Sequence, residues 1–100
     1  MRNIVKQKND ISVLDGFIAN HRAQTTSIAD DQQRLRENMK ALKGSSEEKA
    51  LLERYVRELN EQEDRVQVLR KEIIDLEQKR DAARSGLNTM IEGLQLEARL

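Results

Sequence analysis

The sequence has no cysteine, no proline and no tryptophan, and its only aromatic side chains are Phe17 and Tyr55. Without cysteine there are no disulfides and no thiolate metal sites, and the redox compartment cannot be read. Without proline, no backbone chemistry interrupts a long helix. With two aromatics in 100 residues, a compact core of ordinary composition is excluded. No long apolar run exists either: the opening MRNIVKQKND cannot serve as a signal peptide, and no stretch approaches membrane-spanning length.

What is present is charge and periodicity. Charged residues make up 36% of the chain and hydrophobic residues 37%, too many and too regularly spaced for a disordered segment. Net charge is zero, which gives no bulk attraction to nucleic acid or anionic membrane. The distribution is uneven, however. Residues 1–43 hold eight Lys/Arg and five Asp/Glu, whereas residues 44–100 hold ten and thirteen. Two segments of opposite sign are suited to packing together, although exposed ion pairs contribute only ~0–1 kcal/mol each.

The chain is organised around Lys43-Gly44-Ser45-Ser46-Glu47-Glu48. Gly44 can take the left-handed backbone that ends helices. Ser45 and Glu48 have capping-box spacing, in which each side chain accepts from the other residue's amide. On either side run heptads. The first series places Ile4, Ile11, Ile18, Thr25, Gln32 and Met39 in one row, and Gln7, Leu14, His21, Ile28, Leu35 and Leu42 in the other. The second places Leu52, Leu59, Val66, Ile73, Arg80, Leu87 and Leu94 at a, and Tyr55, Gln62, Leu69, Leu76, Ala83 and Met90 at d. The two frames miss a continuous coil by one residue at the turn. The reading is an all-α, antiparallel two-helix coiled-coil hairpin, one domain over 1–100, with helices at 2–43 and 46–98 and a turn at Gly44-Ser45. Its rival is one straight helix of roughly 150 Å at 1.5 Å per residue.

Finer expectations concern the seam and its ends. Val5, Val13 and Phe17 widen the apolar face beyond the seam. Residues 24–27 are expected to be soft, because Thr25, Thr26 and Ser27 have low helix propensity. Two hairpin registers match polar with polar and differ by half a heptad about the turn. One sets Thr25 opposite Gln62 and Gln7 opposite Arg80; the other sets Gln32 opposite Gln62. The longer second helix is expected to pass the start of the first near residue 84, leaving Leu87, Met90, Ile91, Leu94, Leu96 and Leu100 without a partner in the chain. Gly86 and Gly93 in that stretch either admit a close neighbour or weaken the helix.

No phosphate loop, Cys/His cluster or paired carboxylates in a pocket can be read, and no cofactor is expected. His21 reads as a polar seam residue rather than a metal ligand. Arg80 at an a position either specifies register at some cost or snorkels to solvent. The expected interface residues are Ile11, Leu14, Phe17, Ile18, Ile28, Leu35, Leu52, Tyr55, Leu59, Val66, Leu69, Ile73, Leu76, Leu87, Met90 and Leu94. The function expected is a structural module for protein–protein association that joins a second copy or other helices of a parent protein, without catalysis. The alternative is a nucleic-acid-binding arm using Arg34, Arg36, Lys40 and Lys43, opposed by the nearby Asp30, Asp31, Glu37, Glu47 and Glu48. A membrane-surface helix over 84–100 is opposed by its shortage of basic residues.

The phrase from Asp31 to Lys49, with Arg54-Tyr55-Val56 and Gln62-Glu63-Asp64-Arg65, resembles the helical coiled-coil tail of uncharacterised bacterial proteins similar to mucoidy-inhibitor proteins. The resemblance covers about a third of the chain. It implies a bacterial, envelope-associated parent of which this is a C-terminal helical part, and it carries over no catalytic residue.

Overall fold

The computed structural model describes residues 2–99. Among them are two helices, α1 (Arg2–Lys40) and α2 (Ser46–Arg99), and no strand. The helices pack against each other as a hairpin. By packing, the chain divides into two compact units: a turn unit, His21–Lys71, and a terminal unit formed by Met1–Asn20 with Glu72–Leu100.

In the turn unit the backbone chemistry is local. Gly44 has φ +92°, a conformation that a Cβ would strain. Ser45 caps α2: its carbonyl accepts from the Lys49 amide at 2.9 Å and its Oγ accepts from the Glu48 amide at 3.1 Å. Glu48 completes the box by accepting from the Ser45 amide at 3.3 Å, and it also accepts from the Lys43 amide. These bonds, the Lys43 amide first, hold the Glu48 carboxyl below its ordinary titration range.

The register of this unit is fixed by two side-chain bonds across the seam. Gln32 Nε2 donates to Glu63 Oε1 at 3.0 Å, and Gln62 Nε2 donates to Asp31 Oδ2. Gln32 therefore stands level with Gln62, the second of the two candidate registers. The same register explains why α1 ends at Lys40 and not at Lys43. It sets Lys40 level with Arg54, so α2 begins about eight residues beyond the end of α1, a rise of roughly 12 Å at 1.5 Å per residue. Residues 41–45 cover that rise by leaving the helix, since extended chain reaches up to about 3.3–3.6 Å per residue. The last turn tightens through i→i+3 bonds, Ala41 to Asn38 and Leu42 to Met39, both 3.2 Å. A helix running on to Lys43 belongs to the other register, in which the helix ends are level.

All twelve seam positions expected in α1 are buried or half-buried, as are eleven of the thirteen in α2; the exceptions, Leu52 and Leu94, lie at its ends. In the turn unit, Leu35 and Leu69 are fully enclosed and Val66 and Gln32 nearly so. The stretch 24–27 is continuous helix. Thr25 turns its hydroxyl back to the His21 carbonyl at 3.0 Å, which satisfies it without breaking the ladder.

The terminal unit overturns the expected overhang. Gly86 lies beside Gln7, where a Cβ would meet Gln7 Nε2 at 3.5 Å, and Ile4 lines one groove with Met90, Gly93 and Leu94. Coverage by α1 therefore continues through Met90, well past residue 84, because Gln7 stands beside Gly86 and not opposite Arg80. Of the described residues in that stretch, Leu87, Met90 and Ile91 are half-buried and Leu94 and Leu96 are exposed; Leu100 lies outside the described residues.

Candidate interaction surfaces

The terminal unit is built around an acid on the flank of α1. Asp15 follows Leu14 in the heptad and points across the seam. Arg80, at an a position of α2, donates through Nη1 to Asp15 Oδ1 at 3.5 Å. Arg84 Nη2 lies 3.6 Å from Asp15 Oδ2. Arg80 is held further by Asp81 at 3.2 Å and Glu77 at 4.0 Å on its own helix. Its side chain is 17% exposed, so it does not snorkel freely; it sits in the seam among carboxylates. Asp81 first, and then Asp15, raise the Arg80 guanidinium above its ordinary titration range, against partial burial. A guanidinium stays charged at every working pH whatever its surroundings.

In the turn unit the polar seam is met by amides. Besides the Gln32–Glu63 and Gln62–Asp31 bonds, Arg65 donates to Gln24 at 3.3 Å. Gln62 Oε1 is buried without a hydrogen-bond partner among the described residues. An orphan acceptor of this kind costs about 1–3 kcal/mol. The Arg34 hydrogen bond first, and then the Gln62 bond, lower the Asp31 carboxyl below its ordinary range. Ile28, Asp31 and Gln62 line a groove with Ser27, Asp30 and Arg34 on this flank. No three His, Asp or Glu side chains gather in a metal-holding cluster among the described residues.

The basic residues near the turn, Arg34, Arg36, Lys40 and Lys43, are all exposed, and Arg34 pairs with Asp31 at 2.8 Å. Of the expected interface residues, Ile18, Leu35, Val66 and Leu69 are buried in the hairpin. Ile11, Leu14, Ile28, Tyr55, Leu59, Ile73, Leu76, Leu87 and Met90 are half-buried, and Phe17, Leu52 and Leu94 are exposed. Sequence reasoning missed Asp15. The signal was present: in the row one residue after d, α1 carries Lys8, Asp15, Arg22, Ala29 and Arg36, with a single acid among them.

No described helix is long and apolar enough to cross a membrane. No protein-family model, curated protein or solved structure matches the chain significantly.

Proposed function

We propose that this chain is a structural coiled-coil module for protein–protein association, a spacer or oligomerisation element without catalysis. The observation that carries this reading is the uneven exposure of apolar side chains. Val5, Val13, Phe17, Ile74, Leu94 and Leu96, six of the nine exposed large hydrophobics among the described residues, lie in the terminal unit, where Ile18 is the one buried apolar side chain described. A unit that buries so little and exposes so much apolar surface gains by covering it. The cover proposed is a second copy or other helices of a parent protein, with flanking charges selecting the partner. A bacterial, envelope-associated parent is the context the turn phrase suggests.

Sedimentation analysis of the full chain beside the double variant Val13→Glu, Phe17→Glu tests the reading. The expected result is a species heavier than 11.6 kDa for the parent chain and a monomer for the variant. A parent chain monomeric at all concentrations would overturn the oligomerisation element.

A further inference from the structure

A heptad seam maps onto itself when one helix slides past the other by seven residues. The apolar rows of this hairpin therefore leave the registers nearly equivalent, and polar pairs across the seam select one, Gln32 with Glu63 and Gln62 with Asp31 in the turn unit. We propose that Asp15 is the register key of the terminal unit, through its pairing with Arg80 and Arg84. The pairing holds α1 over the apolar stretch from Leu87 to Leu94.

Each slip brings different side chains together. In the observed register Asp15 meets both guanidiniums, at 3.5 and 3.6 Å. Sliding one heptad toward the start of α1 puts Lys8 where Asp15 stands, and sliding one heptad the other way puts Arg22 there. Either slip sets Arg80, a charge that cannot be discharged, against a like charge on the facing helix. Its neighbours on α2, Glu77, Asp81 and Arg84, move with it in any register, so they do not discriminate. Exchanging that cross-helix carboxylate for a cation disfavours the slip, by the modest amount expected of a part-exposed pair, since Asp81 and Glu77 stay with Arg80. This is the use to which a lone polar residue at an a position is best suited: it lowers stability and excludes alternatives.

The register has a consequence at the open end. As observed, Ile4 shares a groove with Met90, Gly93 and Leu94. Slipped toward the start of α1, α2 would run past Arg2 from about residue 85, leaving Leu87, Met90 and Leu94 uncovered. Asp15 thereby decides whether that stretch belongs to the hairpin or is offered to another chain.

The chain has no cysteine, so paired cysteines report register directly. Ile11→Cys with Ala83→Cys joins seam positions that are level in the observed register; Ile4→Cys with Ala83→Cys joins those level after one heptad of slip. In the parent chain the first pair is expected to close and the second to stay open. The exchange variant Lys8→Asp, Asp15→Lys keeps composition and net charge and moves the acid by one heptad; it is expected to reverse which pair closes. Continued closure of the 11–83 pair in the exchange variant would overturn the proposal, as would a folded variant that closes neither. Should the exchange variant lose its helix content, the decision passes to Asp15→Lys with and without Arg80→Glu. Restored 11–83 closure in the double variant supports the key, and no restoration overturns it.

Discussion

The turn unit and the terminal unit are made from the same two helices and the same heptads, yet they are stabilised differently. In the turn unit the seam encloses Leu35, Val66 and Leu69, and its polar positions are satisfied by amide–carboxylate bonds. Among the described residues of the terminal unit only Ile18 is a buried hydrophobic, one a position, that of Arg80, carries a guanidinium, and six large hydrophobics face outward. Proximity to the turn accounts for part of this, since the capping box and Gly44 fix one end and lower the entropy lost in pairing the adjoining heptads. The rest is composition: apolar side chains close the seam in one unit, whereas an ion-pair cluster aligns the other. Enclosed apolar side chains give stability with weak choice of register; the polar pairs across the seam, amide–carboxylate in one unit and ionic in the other, add the choice.

The largest expected effect that tests this contrast is a cavity. Leu35→Ala or Leu69→Ala removes a fully enclosed side chain and is expected to cost about 2–5 kcal/mol in urea unfolding. Leu87→Ala, at a half-buried seam position, should cost clearly less. Equal losses would erase the distinction between the units. Next comes Gly44→Ala, which places a Cβ on a backbone at φ +92° and is expected to cost ~1–2 kcal/mol with little change in helix content by circular dichroism. Ser45→Ala should cost about 1 kcal/mol by removing the acceptor for the Glu48 amide. Hydrogen exchange should show that loss at the first amides of α2.

Acid sharpens the comparison. The Glu48 and Asp31 carboxyls both titrate below their ordinary range in the fold. A depressed carboxyl contributes stability that is present above its unfolded-state value, about 4. That contribution is lost as pH falls through the lower folded-state value. The thermal midpoint should therefore drop below about pH 4, and Glu48→Gln with Asp31→Asn should flatten that drop while leaving the upper limb unchanged. An unaltered acid limb in the double variant would remove both carboxyls from the account. The smallest effect is a gain. Gly93 has nothing within 4 Å of where a Cβ would sit, so Gly93→Ala should stabilise α2 by about 0.5–1 kcal/mol without changing register.

Much of this molecule is legible in its order of residues, and the physical reason is locality. Capping, left-handed glycine and apolar spacing act within about a turn of helix, so Ser45, Glu48, Gly44 and the two heptad rows could be read before any partner was known. The same locality left Asp15 out of view, since its importance comes from Arg80 and Arg84, distant in sequence and brought near by pairing. The end of α1 at Lys40 and the cover over Met90 were hidden for the same cause. Both are set by register, and a seven-residue repeat is silent about register because it matches itself after every heptad. By itself, then, the sequence determined two helices, their seam and the place where they fold back. Tertiary structure alone chose among the slips, because only pairing brings Asp31, Glu63 and Asp15 against their partners on the facing helix.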